Sequence, residues 1–523
     1  MPHDLEQRRH VLHRVLLRTN LIHAAIVGIM AGALGVAYQI SVRYAEEGAQ
    51  HAAKAAGKAG PLATILIILA FGLFAGGCAS LVSRFAPESG GSGIPHIKAA
   101  LLHLKVVQPI RLIVAKFLGG LAALVVGMSL GREGPTVQMG ASMGKIVGDV
   151  LRAPKRARSS LLAAGAGAGL AAAFNAPLSG FLFVMEELKR EMSALTYGSA
   201  LAASATAVAV TRYLVGERPS FVLPSPGVAP LTVLPLTAIL GIVAGAAGVL
   251  FNKMLVGALD VRRKFKIPAF VYGAVVGVLA CAALLYYPEV AGGGHAVAEK
   301  LLSGEYRGLA LGSVLLIFGG KILLTSISYG TGMPGGIFAP ILVMGAFVGY
   351  AFGIVANLAF PHLGFSAEGF ATLGMAAMLA GSVRAPLTGV VLIVEMTAEY
   401  GLLYALLVSA FVASLMAQAL RDGPIYDHLM ERDLKLNGAE IHPEHEPILV
   451  EILVEPNSWM DGRRIKNLKL PAGTLVATLE RGSRHLVPGG STLLAAGDML
   501  TIMIEGDKPE LSLPIYEAAK APG

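Results

Sequence analysis

Charge is scarce in this sequence. Only 15% of its 523 residues are Asp, Glu, Lys or Arg, against 54% hydrophobic, a balance too greasy for a soluble globular chain of this length. Cysteine is almost absent: Cys78 and Cys281 are the only two. They lie far apart inside apolar runs, which excludes a disulfide framework or a cysteine metal site and leaves them as packing residues. No HExxH and no P-loop occurs, so the metalloprotease and nucleotide-hydrolase chemistries have nothing to run on. The scattered histidines His23, His51, His295 and His362 read as loop or interface residues, and no metal site is expected. A TVGYG-like potassium filter is missing too. The first twenty residues carry Arg8, Arg9, Arg14 and Arg18 without the apolar core of a cleavable secretory signal.

What is present is apolar length. Runs of about 20 residues, enough to cross a hydrocarbon core, occur near 20–43, 61–83, 112–130, 161–186, 196–214, 231–251, 268–287, 308–328, 337–359, 368–396 and 402–420. The chain therefore reads as an α-helical polytopic membrane protein with about eleven membrane segments in the lipid bilayer. The Gly and Pro within the runs predict broken or re-entrant helices, tolerated where protein or a polar cavity satisfies the freed backbone. The formal charge of +8 is read as topology rather than nucleic-acid affinity. Basic residues before the first span put the N-terminus in the cytoplasm, and Arg152 to Arg158, Lys189-Arg190 and Arg262 to Lys266 mark further inner ends.

Past residue 440 the pattern becomes short alternating strands, ILVEILVE, TLVATLER and MLTIMIEG. Turn signals such as Pro471-Ala472-Gly473 and Pro488-Gly489-Gly490 separate them. This predicts a small cytoplasmic α+β domain at 446–515, mostly strand, with a helix near 462–468. The expected domains are thus 1–20, an N-terminal cytoplasmic helix; 21–435, the membrane part; and 446–515.

The membrane part repeats itself. FNAPLSGFLFVMEE at 174–187 matches VRAPLTGVVLIVEM at 383–396, pairing Glu186 with Glu395. Gly131 to Pro135 matches Gly336 to Pro340, and GGSGIPHIKAALL at 90 matches AGGGHAVAEKLL at 291. Two related halves, about 21–215 and 231–435 joined by a linker at 216–230, are the pattern of a transporter whose site lies between inverted repeats near the midplane. The elements Gly91-Ser92-Gly93-Ile94-Pro95, Gly131 to Pro135 and Gly335 to Pro340 predict helices starting inside the membrane. Such starts offer unpaired N–H groups and partial positive charge to a small anion, with Ser92 adding a hydroxyl. Close-packed helix crossings are the plainer reading of any one element; three in repeat-related places favour an anion site. Glu133, an ionisable residue at membrane depth, is a functional candidate, with a helix-capping carboxylate as the alternative. A carboxylate is itself an anion, so Glu133 reads as a plug that protonation releases. Glu186 and Glu187, just before Lys189-Arg190, read either as a solvated helix end or as functional acids.

These motifs resemble those of the CLC chloride channels and transporters. GSGIP at 91–95, GREGP at 131–135 and GGIFAP at 335–340 are similar to that family's selectivity motifs in their usual order, and Tyr426 in GPIYDHL to its fourth anion-site residue. The resemblance covers about 15–435. It implies a homodimer with a pathway in each subunit, two inverted repeats, and chloride held by the Ser92 and Tyr426 hydroxyls and the Ile337 and Phe338 amides. It implies Glu133 as the gating acid and Glu187 as the internal proton-transfer acid, hence coupled chloride/proton antiport rather than an enzyme, in a bacterial inner membrane with both termini cytoplasmic. Glu186 and Glu395 are expected to be structural. A passive chloride channel, voltage- or ligand-gated, is the alternative. His96 and Lys98 depart from the acids that some members carry after the first motif. No cofactor is expected, chloride and protons being the substrates. The C-terminal segment resembles the RCK-C or TrkA-C regulatory module, on its strands, the Arg481-Gly482 turn, Pro488 and Ala496-Gly497-Asp498. That resemblance implies either a small regulatory ligand, such as a cyclic dinucleotide or another nucleotide, or a dimer-stabilising appendage without one.

Overall fold

The structure, a computed structural model, describes residues 2–189, 193–217, 221, 229–362, 364–436, 448–482, 484–505 and 511–520. Most of the predicted linker at 216–230, Arg190 and the predicted domain start at 446 lie outside them. The chain divides into a unit of Met1–Asp433 and a unit of Leu434–Gly523.

The first unit is helical. Its first half holds α1 (Pro2–Ala59), α2 (Pro61–Phe85), α3 (Ile94–Leu101), α4 (Pro109–Val125), α5 (Glu133–Val150), α6 (Lys155–Phe174), α7 (Pro177–Phe183) and α8 (Ala194–Val215). Its second half holds α9 (Leu234–Lys264), α10 (Ala269–Tyr286), α11 (His295–Leu302), α12 (Leu311–Gly330), α13 (Phe338–Ala359), α14 (Ala367–Val383), α15 (Pro386–Thr397) and α16 (Leu403–Ala419), followed by α17 (Ile425–Leu436). The halves correspond helix by helix. α3 and α11 each span 8 residues and follow a left-handed glycine, Gly93 at φ 80° and Gly294 at φ 82°. The closest packing is also repeated, α5 on α6 and α13 on α14. Gly140 and Gly165 touch backbone to backbone in the first pair, and Gly345 and Gly374 in the second, the small-residue contact that lets membrane helices approach.

Eight helices among the described residues are long and apolar enough to cross a membrane, and the protein is multi-pass. Three of the eleven expected runs are not spans of this kind: the one at 112–130 stops with α4 at Val125, a helix of 17 residues, and the other two are broken. The run at 161–186 breaks between α6 and α7, and that at 368–396 between α14 and α15. In each, a left-handed non-glycine residue ends one helix, Asn175 at φ 58° or Arg384 at φ 67°. Pro177 or Pro386 then opens the next, because proline tolerates a first turn and not an interior. Gly140-Ala141-Ser142-Met143-Gly144 formally fits the hydrolase Gly-x-Ser-x-Gly pattern, which the sequence reading passed over. It lies within α5 with Ser142 bonded to the Gln138 carbonyl at 2.8 Å, not on the strand-to-helix turn that exposes such a nucleophile.

The second unit is an antiparallel sheet of β1 (Ile448–Leu453), β2 (Thr474–Arg481), β3 (Arg484–Leu486) and β4 (Met499–Ile504), in the order β1-β4-β2-β3. Alternation on β4 puts Leu500, Ile502 and Ile504 into a core with Ile452, Val476 and Leu479. The helix expected near 462–468 is only a 3-10 turn, Ile465–Asn467. Arg464 pairs as an isolated bridge with Leu493 there, which holds the backbone extended. The unit's α-helix is α18 (Ser512–Ala519).

Candidate anion site

Three helices start among buried residues: α3 at Ile94, α5 at Glu133 and α13 at Phe338. Each carries proline in its first turn, Pro95, Pro135 or Pro340, where the missing N–H is one a helix leaves unpaired anyway. The residues ahead of them, Gly93, Arg132 and Ile337, make no side-chain capping bond. The first bond of α13 runs from Ile341 N–H to Ile337 O at 2.9 Å. The Ile337 and Phe338 amides therefore precede any helical acceptor.

The three motifs meet. Gly131 and Gly336 exchange two N–H···O bonds of 2.7 Å each, the reciprocal pairing that a two-fold relation between halves produces. Gly335 N–H donates to Gly91 O at 2.9 Å, and Gly91 N–H to Met333 O at 3.2 Å. At Gly134 a Cβ would lie 2.8 Å from both the Gly336 Cα and the Ser92 carbonyl oxygen, so backbone contact leaves no room for a side chain. Two fully buried lysines brace this framework. Lys116 donates to Gly91 O at 2.6 Å, and its repeat mate Lys321 donates to Gly292 O at 2.7 Å. The sequence reading missed both, although a lysine inside an apolar run is itself a signal.

Ser92 and Tyr426 are fully buried, and neither hydroxyl oxygen has a hydrogen-bond partner among the described residues. Tyr426 is the second residue of α17 and lies within electrostatic reach of Tyr329, Glu187 and Glu133. Buried hydroxyls are ordinarily satisfied, so these two are exceptions that call for an account. Ile337 and Phe338 are buried, and Phe338 packs on Phe174 with ring centroids 5.5 Å apart.

Glu133 is 3% exposed. Its carboxylate folds back over Gly131 toward Ala339, and Arg132 Nε lies 4.0 Å away. The acid thus rests beside the start of α13. A cavity of about 130 Å3, bordered by Glu46, Arg132, Gly293 and His295, opens beside it.

Glu186 and Glu187 point to different tasks. They belong to a π-helical turn, Val184–Lys189, a local form that often marks functional sites. Glu186 accepts from Leu387 N–H, Thr388 N–H and the Thr388 hydroxyl at 2.7–3.0 Å. Glu395 does the same for Leu178 and Ser179 at 2.6–3.0 Å. These reciprocal caps between α7 and α15 are structural. Glu187 is fully buried rather than solvated, and its Oε1 lies 2.6 Å from Lys98 Nζ. Lys98 also pairs with Asp427. Sequence reasoning noted Lys98 only as a departure from a motif and did not single out Asp427; the signal was a charged residue in a short helix that is otherwise apolar apart from His96. A second, larger cavity of about 980 Å3 is bordered by Lys105, Lys145, Lys155, Arg156, Arg158 and Lys189 against Asp149.

Residues 71–418 match the model of the family described as voltage gated chloride channel, and residues 449–508 match that of the TrkA-C domain. The chain belongs to the voltage gated chloride channel, or CLC, family. It is 41% identical over 432 residues to the H(+)/Cl(-) exchange transporter ClcA of Yersinia pseudotuberculosis, covering 79% of this chain and 87% of the relative. It is 39% identical over 428 residues to the protein of that name from Vibrio cholerae, covering 79% and 90%. Among solved structures it resembles a slow cyanobacterial Cl-/H+ antiporter with TM-score 0.75 and 34% identity, over 80% of this chain and 99% of the other. Ser92, Ile337, Phe338, Tyr426 and Glu133 are all buried, and Glu187 pairs with Lys98 of the helix that follows Ser92.

Proposed function

We propose that this CLC protein is a secondary active antiporter that exchanges chloride for protons, with Glu133 as the gate and Glu187 as the internal proton acid. The observation that carries the reading is the pair of buried carboxylates close to the unpartnered hydroxyls of Ser92 and Tyr426. Chloride is held by those hydroxyls and by the Ile337 and Phe338 amides, dipoles without a full charge, so that it binds and still leaves. Glu133 occupies the anion position while ionised. Protonation removes its charge, and the adjoining cavity accepts the side chain. The names of the relatives, both exchange transporters, support the same reading.

The basic residues around the larger cavity support reading that side as cytoplasmic under the positive-inside rule, where they would raise the local concentration of anions at the inner mouth. The protein is a homodimer in a bacterial inner membrane with both termini in the cytoplasm. The C-terminal unit is a regulatory module of the TrkA-C kind, and a cyclic dinucleotide is the first ligand class to test on it. In proteoliposomes an outward chloride gradient should drive protons uphill in the opposite direction. Robust chloride flux with no coupled proton movement would replace the exchanger by a passive channel.

A further inference from the structure

We infer that Asp427 is a second proton-carrying acid of the inner route, and that Lys98 is the positioning cation it shares with Glu187. The inference rests on the exchange reading above and adds residues to it. Lys98 is buried on α3, its Nζ 2.6 Å from Glu187 Oε1 and also ion-paired with Asp427 Oδ1. The two carboxylates differ in access. Glu187 has no solvent exposure, whereas the Asp427 side chain is 17% exposed. One ammonium therefore bridges an acid that water reaches and an acid that it does not. Asp427 follows Tyr426 directly, so the solvent-reached acid and a hydroxyl of the anion site share the first turn of α17.

The three groups form a contiguous chain of proton-holding atoms, and a proton enters it on Asp427, the acid that solvent reaches. The proton then moves by exchange across the ammonium: Lys98 gives one N–H proton to Glu187 Oε1 as its nitrogen takes the O–H proton of Asp427. One O–H bond breaks on Asp427, one forms on Glu187, and Lys98 ends as it began. On α17, His428 and Glu431 follow Asp427, and several other ionisable groups nearby are engaged elsewhere. His96 of α3 bonds to Gln138, Lys189 bonds to Ser159, Lys105 pairs with Asp433, and Glu186 caps α15. α7 carries no ionisable side chain, and the basic first turn of α6 borders the inner basic cavity.

Proton and chloride fluxes measured separately in proteoliposomes test this with the full chain. Asp427→Asn should lower the proton-to-chloride flux ratio about a hundredfold, the low end for losing one positioned acid, and Asp427→Glu should restore it. Lys98→Met should shift the internal pH of half-maximal proton flux upward by about one unit, because the cation favouring the ionised acids is gone. A merely structural role would lower both fluxes together and leave the pH profile in place. A wild type that pumps protons, with Asp427→Asn at the wild-type ratio and pH profile, overturns the inference alone. A wild type that does not pump removes the exchange reading with it. If Lys98→Met fails to fold, Asp427→Asn and Asp427→Glu still decide.

Discussion

In the proposed exchange, Glu133 competes with chloride for the same backbone amides. Its carboxylate lies beside the start of α13, and burial strips it of the water that would otherwise screen its charge. Gln has nearly the same shape without the charge. Glu133→Gln should therefore let chloride pass while proton flux falls by about a hundredfold, within the range expected for removing an essential acid; paired chloride- and pH-electrode recordings read both. Coupled proton flux at the wild-type level in this variant would show that the acid is not on the proton route. At this scale the sequence marked the proposed site residues that sit in a motif, as Ser92, Glu133, Ile337 and Phe338 do. It was not legible where function depends on a partner distant along the chain. Lys98 meets Glu187 and Asp427 only after folding, and Lys116 reaches Gly91 from the next helix, so neither pairing has a local pattern.

Elements show the same division. Helix starts at Ile94, Glu133 and Phe338 followed from Gly and Pro punctuation, since those residues constrain the backbone locally. The breaks inside 161–186 and 368–396 were hidden because hydropathy continues unbroken across Asn175 and Arg384, and periodicity carries no mark of a single left-handed residue. The helix expected at 462–468 failed for the opposite reason: a short polar-apolar pattern was captured by a bridge to Leu493. Where motifs touch, the elements have no slack. A methyl at Gly134 would meet Gly336 Cα and the Ser92 carbonyl at 2.8 Å, both backbone, which side-chain rotation does not relieve. Gly134→Ala should cost about 1–3 kcal/mol as an overpacked site, read as a lower Tm in detergent, and should lower chloride flux by moving Ser92. A variant with wild-type Tm and chloride flux would mean that the three motifs are held together less tightly than these distances imply.

On the scale of the whole molecule, every proposed site residue lies within Met1–Asp433, and the second unit has its own core and its own ionic anchor. In that unit Asp498 is 1% exposed and accepts from Arg481 at 2.6 and 2.7 Å and from Ala495 N–H at 2.8 Å. Burial pushes the Asp498 carboxyl upward, but the Arg481 and Ala495 hydrogen bonds and the Arg481 charge outweigh it and hold the acid below its ordinary range. The anchor joins the end of β2 to the turn before β4, two segments whose turns the sequence marked without hinting that they pair. A depressed acid stabilises the fold above its unfolded pKa of about 3.9, and that stability is lost as pH falls through the lower folded value. Acidification from pH 5 to pH 3 should therefore loosen this unit in the wild type. Arg481→Gln should lower its stability at pH 7 by about 1–2 kcal/mol, a modest figure because the guanidinium is half exposed. It should also make the loss on acidification smaller, since less of the pKa depression remains to be undone. Hydrogen exchange on full-length protein separates the units: protection should fall in β2 and β4 and stay unchanged in α5 and α13. Unchanged protection in β2 and β4 would show that the Arg481–Asp498 pair contributes nothing to the fold, whereas loss in α5 and α13 would show that the two units do not fold independently.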